Sequence, residues 1–169
     1  MKTEFTLKST EVEERNFNDY KGKYLVLYFY PRDNTKGCTI EANNFSSLYE
    51  EFKKLDAEVV GISKDSIKSH MKFKEKENIP YELLSDPERE VHANYEVLKN
   101  AKMYGKEVIK TVRSTFVFDK DLNLIKEYRD VKASENPQEV LDFIKSLWYT
   151  INIQIFWRMN LEKKFINFP

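Results

Sequence analysis

A buried strand, an amphipathic helix and a second buried strand follow one another between residues 24 and 62. Residues 24–30 are almost continuously apolar, which is typical of a central strand covered on both faces. The run 57–62 has the same character. Between them, over residues 39–55, apolar side chains recur at the three- and four-residue spacing of one helix face: Ala42, Phe45, Leu48, Tyr49 and Phe52. We therefore expect a right-handed strand–helix–strand unit with a parallel pair of strands.

The rest of the chain adds an antiparallel part to this parallel pair. Residues 110–118 and 122–129 predict two strands joined by the turn 119–123, which is a hairpin. Residues 81–84 are interpreted as an edge strand and residues 99–110 as a loop. Further helices are expected from Ile67, Asp86 and Ser134. The pattern predicts an α/β domain with a mixed central sheet and helices on both faces.

One domain over residues 1–147 is expected, followed by an atypical aromatic extension over residues 148–169. The extension contains both tryptophans of the chain and no glycine. Four interpretations are open: a docking or dimerisation segment, an appended helix that covers part of the core, a poorly ordered tail, or an added strand over residues 151–157.

Composition argues against several classes of partner. The chain has 28 Lys and Arg against 28 Asp and Glu, so its net charge attracts neither nucleic acid nor an anionic membrane. No apolar run approaches the ~20 residues of a membrane helix, and the N-terminus lacks the apolar region of a signal peptide. We expect a cytoplasmic protein with no nucleic-acid or membrane partner.

The only cysteine, Cys38, is predicted to lie in the first turn of the helix that leaves the first buried strand. A helix N-terminus favours negative charge, and therefore the reactive thiolate form of a cysteine. His70 and His92 have no Cys, Asp or His at metal-ligand spacing, and they are interpreted as surface residues. No metal site is expected.

Two segments carry a resemblance to a known family. The string Pro-Arg-Asp-Asn-Thr-Lys-Gly-Cys at residues 31–38 resembles the Pro-x-x-x-Thr-x-x-Cys motif of the peroxiredoxins. Its wider setting, residues 28–42, is similar to the bacterioferritin-comigratory-protein subgroup, also called PrxQ. Residues 102–106 and 112–119 resemble the arginine strand of the same subgroup. The resemblance spans about residues 5–147 and implies a thioredoxin-like fold.

The resemblance implies a thiol-dependent peroxidase that reduces hydrogen peroxide and organic hydroperoxides. Cys38 is expected to be the nucleophile, and Arg113 is expected to approach it from a neighbouring strand. A guanidinium stays charged and can hydrogen-bond both the sulfur and the peroxide oxygens. The resemblance gives Glu41, one turn after Cys38, the role of holding Arg113 in place.

Three further residues are expected to contact or shield the peroxide. Thr35 would offer its hydroxyl to peroxide and sulfur, and Pro31 would cover the thiolate and exclude water. Pro31 has no N–H, so it leaves no unmet backbone donor there. The backbone N–H groups of Gly37 and Cys38 would bind the peroxide oxygens.

The chain departs from many members of the subgroup at Asn43, where they have a second cysteine. An intramolecular disulfide is impossible, so a sulfenic acid at Cys38 must be reduced from outside. The expected reductant is a small thiol, a thioredoxin- or glutaredoxin-like protein, or Cys38 of another copy. No metal, haem or flavin cofactor is implied, and a monomer or weak homodimer is expected.

Two alternatives to catalytic turnover remain at this point. In one, the chain is a redox sensor or chaperone-like interaction protein in which Cys38 oxidation changes a partner contact. In the other, it is an inactive copy. Sustained peroxide consumption that depends on Cys38 distinguishes the enzyme from both.

Overall fold

The computed structural model describes residues 1–166, and the side chains of residues 1–161. Within residues 1–166, nine strands form a seven-stranded mixed sheet and a separate hairpin: β1 (Thr6–Ser9), β2 (Glu14–Asn16), β3 (Tyr24–Phe29), β4 (Ala57–Ser63), β5 (Glu82–Ser85), β6 (Leu98–Met103), β7 (Lys106–Thr111), β8 (Ser114–Phe118) and β9 (Leu124–Arg129). Four α-helices and one 3-10 helix accompany them: α1 (Lys36–Lys54), α2 (Ile67–Glu77), α3 (Glu90–Asn94), α4 (Asn136–Ile166) and the 3-10 helix Phe17–Tyr20.

The strand β3 lies near the middle of the large sheet, whose order is β2-β1-β5-β4-β3-β8-β9. It pairs in parallel with β4 and antiparallel with β8, and every one of its residues is buried. The predicted strand–helix–strand unit and the β8–β9 hairpin are therefore confirmed. The prediction for β5 was wrong, because β5 lies inside the sheet between β4 and β1.

Each face of the sheet carries its own hydrophobic core. Side chains of α1, α2 and α4 pack on one face, where Phe45, Phe73 and Leu141 are buried without exposure. The other face is covered by the 3-10 helix and α3, through Phe17 and Val91 among others. Successive residues of β3 alternate between the two cores, as the pleat of a strand requires. The expected helices on both faces are confirmed.

Two local predictions around residues 99–113 were wrong. The segment interpreted as a loop forms the antiparallel hairpin β6–β7. The predicted single strand over 110–118 is interrupted, because β7 ends at Thr111 and β8 begins at Ser114. Arg113 therefore lies in a short break between strands, directly before β8 enters the sheet.

The aromatic extension continues α4 instead of forming a strand. Over residues 148–161 its apolar side chains are exposed, so the alternatives of an added strand and of a cover for the core were wrong. Residues 167–169, which belong to the same predicted extension, lie outside the described residues. Within the described part of the chain, no helix is both long and apolar enough to cross a membrane.

Removing residues 148–169 tests whether 1–147 is a self-sufficient domain. Because the described side chains beyond Leu147 are mostly exposed, we expect the free energy of unfolding to change by less than about 1 kcal/mol. The measurement is urea unfolding of the full and shortened chains. Leu141→Ala provides the scale, since truncating a buried leucine costs about 2–5 kcal/mol. A loss of that size on shortening would contradict the domain boundary.

Candidate active site

Cys38 lies in the first turn of α1, immediately beyond the end of β3. The loop 30–35 connects the two elements, and Thr35 is the residue that precedes the helix. The cysteine is only 1% exposed, so its sulfur is enclosed by the protein. The position is the one predicted, at a helix end where backbone N–H groups favour negative charge.

Arg113 meets this cysteine from the neighbouring part of the sheet. Its Nη2 lies 3.4 Å from Cys38 Sγ. The pairing of Phe29 with Ser114 explains the contact, because it brings the residue before β8 to the sheet edge where α1 begins. The expected approach of arginine to cysteine is present in the structure, although Arg113 precedes the strand instead of lying within it.

Gly37 leaves the space that the guanidinium occupies. A Cβ atom added at this position would lie 3.1 Å from Arg113 Nη2, which is closer than most contacts between such atoms. The absence of a side chain at Gly37 therefore lets the guanidinium approach the first turn of α1 closely.

Glu41 is the second partner of Arg113. Its Oε2 accepts a hydrogen bond from Arg113 Nη1, and the carboxyl is fully buried. The other oxygen, Oε1, has no hydrogen-bond partner among the described residues. Burial raises the pKa of Glu41 to about 7, and the charge of Arg113 opposes this rise. For Arg113, burial acts to lower the pKa, but the negative charges of Glu41 and Cys38 outweigh it and raise the pKa.

Thr35 and Pro31 lie in the loop beside this group. The Thr35 hydroxyl donates to the Arg32 carbonyl at 3.0 Å and does not cap the helix. The hydrogen of this hydroxyl is therefore used on the Arg32 carbonyl. Pro31 is half-buried. The structure thus brings Cys38, Arg113 and Glu41 into contact. Thr35 and Pro31 lie in the adjoining loop.

The interpretation of the two histidines as surface residues was wrong. Both are fully buried, and each has a carboxylate partner. His70 Nδ1 lies 2.9 Å from Asp33, in the active-site loop, and His92 Nδ1 lies 2.6 Å from Asp86. The first pair is separated by 37 residues, so no local spacing could have indicated it.

Asn43 occupies the position where many members of the resembled subgroup have a second cysteine. It lies on α1 with its side chain exposed, and Nδ2 donates to Glu77 at 3.3 Å. Cys38 is the only cysteine in the chain.

Sequence comparison identifies the family. Residues 2–127 match the model of the AhpC/TSA family. Peroxiredoxin Bcp of Bacillus subtilis (strain 168) is 47% identical over 141 residues, which cover 83% of this chain and 90% of the relative. Peroxiredoxin Bcp of Xanthomonas campestris is 38% identical over 127 residues, which cover 75% of this chain and 79% of the relative.

Solved structures of similar shape agree with the sequence comparison. The bacterioferritin comigratory protein of Xanthomonas campestris aligns with a TM-score of 0.80 at 34% identity, covering 84% of this chain and 90% of that chain. The PrxQ C47S mutant of Xylella fastidiosa aligns with a TM-score of 0.79 at 34% identity, covering 84% of this chain and 88% of that chain. The mixed sheet is therefore a thioredoxin-like fold. Because sequence, fold and the setting of its cysteine all agree, the chain belongs to the AhpC/TSA family as a peroxiredoxin of the Bcp/PrxQ group, a group of thiol-dependent peroxidases.

Proposed function

We propose that Cys38 reduces hydrogen peroxide and organic hydroperoxides by direct attack of its thiolate, and that an external thiol then restores it. The contact between Arg113 Nη2 and Cys38 Sγ, at 3.4 Å, carries this proposal. A guanidinium that close can hydrogen-bond the reacting sulfur and the peroxide oxygens, and the α1 N-terminus favours negative charge at the same place. Glu41 keeps the guanidinium in position through its hydrogen bond to Nη1.

The proposed first step breaks the O–O bond of the peroxide. The Cys38 sulfur donates an electron pair to the terminal peroxide oxygen, which forms an S–O bond, and the second oxygen leaves with the electrons of the broken bond. The leaving oxygen takes a proton and departs as water or an alcohol. The cysteine is then a sulfenic acid, two electrons more oxidised than the thiol. Arg113 also stabilises the charge that develops on the leaving oxygen.

The loop and the helix start are proposed to orient the peroxide. The hydrogen of the Thr35 hydroxyl is used on Arg32 O, so Thr35 Oγ1 offers lone pairs that can accept from the peroxide O–H. The N–H groups of Gly37 and Cys38 belong to the first turn of α1, where a helix has no intrahelical acceptors for them, and Thr35 provides no side-chain cap. They can donate to the peroxide oxygens. Pro31 limits the access of water.

Recycling is proposed to need two equivalents of thiol. The first attacks the sulfenic sulfur and releases water, which leaves a mixed disulfide at Cys38, and the second reduces that disulfide. The single cysteine and the asparagine at position 43 support an external reductant: a small thiol, a thioredoxin- or glutaredoxin-like protein, or Cys38 of another copy. The cycle requires no metal, haem or flavin. Alkyl peroxide reduction is named for the Xanthomonas campestris protein, which supports organic hydroperoxides as substrates.

Peroxide consumption with thioredoxin, glutaredoxin plus glutathione, or dithiothreitol tests this cycle. We expect many turnovers per Cys38 with at least one reductant, and none for Cys38→Ser. Arg113→Lys keeps a charge but loses the planar fork, so the rate constant should fall by about 10²-fold. Arg129→Lys, on β9 and paired with Glu127, is the control and should leave the rate unchanged.

Mass spectrometry of Cys38 in each reaction distinguishes the competing functions. Transient sulfenic acid and mixed disulfide accompany turnover. A single stoichiometric oxidation, without recycling by any reductant, would instead support the redox-sensor alternative. Unaltered Cys38 after exposure to peroxide would indicate an inactive copy.

Gly37→Ala tests the close approach of the guanidinium. The added Cβ would lie 3.1 Å from Arg113 Nη2, so the guanidinium must move away from the first turn of α1. We expect the rate constant for peroxide to fall by about tenfold or more, since small misplacements of reacting groups have large kinetic costs. Alanine favours helix, so thermal stability should not fall. Unchanged kinetics would show that the contact tolerates displacement.

Glu41→Gln tests the buried carboxyl through the pH dependence of stability. Its folded-state pKa is raised from 4.5 to about 7, so the folded protein holds this proton more tightly than the unfolded chain. The stabilisation is complete below about pH 4.5 and lost as the pH rises through about 7. Compared with Glu41→Gln, the native protein should lose up to about 3 kcal/mol between about pH 5 and 8. Urea unfolding at several pH values measures this loss of stability, and Glu50→Gln, at an exposed position, is the control. If the native protein and Glu41→Gln lost stability in parallel with pH, the prediction would be wrong.

A further inference from the structure

His70 faces a hydrogen-bond acceptor on each side of its ring. Nε2 lies 3.0 Å from the Leu84 carbonyl oxygen, and Nδ1 lies 2.9 Å from Asp33 Oδ2 and 3.1 Å from Asp33 Oδ1. The ring is fully buried between α2, the active-site loop and β5. Water is therefore not positioned to replace either partner.

The partners determine how many protons the ring carries. A carbonyl oxygen can only accept, so Nε2 must carry hydrogen. The Asp33 carboxylate already accepts from the Tyr30 hydroxyl and the Ser69 hydroxyl, both at 2.7 Å. A carboxyl held by these donors acts as an acceptor, so Nδ1 must donate to it as well. Hydrogen on both ring nitrogens makes His70 an imidazolium.

The charges around the ring agree with this assignment. Asp33 and Asp65 supply two carboxylates beside one cation, and Asp65 Oδ2 accepts from the Asp33 backbone N–H at 2.9 Å and from Ser63 at 2.6 Å. Tyr30, whose hydroxyl is 3.3 Å from Nδ1, is held neutral because burial raises its pKa. Burial opposes ionisation of Asp33, yet hydrogen bonds from His70, Tyr30 and Ser69 together lower its pKa.

Asp33 connects this charge cluster to the active site. It lies in the loop between Pro31 and Thr35, and both its backbone N–H and its side chain are bound to partners outside that loop. The next residue, Asn34, has a φ of 58°, so the chain turns sharply before the helix begins. Thr35 contributes no side-chain cap to α1. Asp33 therefore anchors the middle of this loop to α2 and to Asp65.

We propose that His70 is a positioning residue for the peroxide site, whose imidazolium holds Asp33 and through it the loop that presents Pro31 and Thr35. The inference rests on the proposed function for its kinetic consequence. Its structural part, the doubly protonated ring and the ordered loop, can be tested without any measurement of catalysis.

Nitrogen NMR of the unmodified protein tests the proton count without any mutation. We expect the His70 ring to carry hydrogen on both nitrogens at neutral pH, because an acceptor faces each of them. Asp33→Asn removes the carboxylate and should return the ring to a neutral form. A neutral ring in the unmodified protein overturns the proposal. Addition of a chelator separates it from a metal site, because Asp33, Asp65 and His70 have ligand atoms within 4.8 Å of one another; a ring spectrum that changes on chelation also overturns it.

His70→Gln tests the positioning role. We expect the second-order rate constant for peroxide to fall by about tenfold or more, because the loop that carries Pro31 and Thr35 is no longer fixed beside Cys38. The matched control is His92→Gln. His92 is equally buried and also has a carboxylate partner, Asp86, but its Nε2 has no partner among the described residues. It should lose stability and keep the rate constant.

Amide hydrogen exchange of residues 32–35 supplies a readout that does not depend on turnover. Exchange should accelerate in His70→Gln and in Asp33→Asn, and stay unchanged in His92→Gln. If the unmodified protein shows no peroxidase activity, the proposed function fails, and exchange together with NMR still decides the role of His70. Unchanged exchange and unchanged peroxide kinetics in a folded His70→Gln protein would refute the positioning role of His70. If His70→Gln does not fold, Asp33→Asn is judged by the same two measurements.

Discussion

One guanidinium joins the sheet to the catalytic helix. Arg113, at the start of β8, contacts Cys38 and Glu41 on the first two turns of α1. Two acidic groups therefore share a single cation in a largely buried place. Burial raises the pKa of Glu41 to about 7, so near neutral pH this carboxyl competes less strongly for Arg113 than an ordinary, fully ionised carboxylate would. The balance of charge around Arg113 thus depends on how poorly solvated Glu41 is.

Those parts of the fold that rest on local pattern could be predicted from the sequence. The strands β3 and β4 are apolar along their length, and the turn between β8 and β9 is marked by residues 119–123. The position of β5 inside the sheet could not be predicted, because it requires pairing with β1, far away in the chain. The hairpin β6–β7 was missed for a different reason. It is mostly exposed on both faces and rich in lysine, so it lacks the alternation that indicates a half-buried strand.

The same distinction between local pattern and long-range contact applies to the candidate site. The meeting of Cys38, Arg113 and Glu41 was expected from the motif and the family resemblance. The pair Asp33–His70 was not expected, because aspartate and histidine are more often at the surface, and burial of such groups becomes favourable only when distant partners satisfy them. The sequence contains both Asp33 and His70, but it does not show that α2 packs against the loop 30–35. The residues that hold a site in shape are therefore harder to predict than the residues that react.

The start of α1 is held by side chains from outside the helix. Thr35 provides no side-chain cap, so the first turn depends on Arg113 on one side and on the loop anchored by Asp33 on the other. The same enclosure leaves Cys38 only 1% exposed. A peroxide and a reducing thiol must both come within bonding distance of this enclosed sulfur. The contacts that fix the first turn of α1 therefore also set how closely either reactant can approach Cys38.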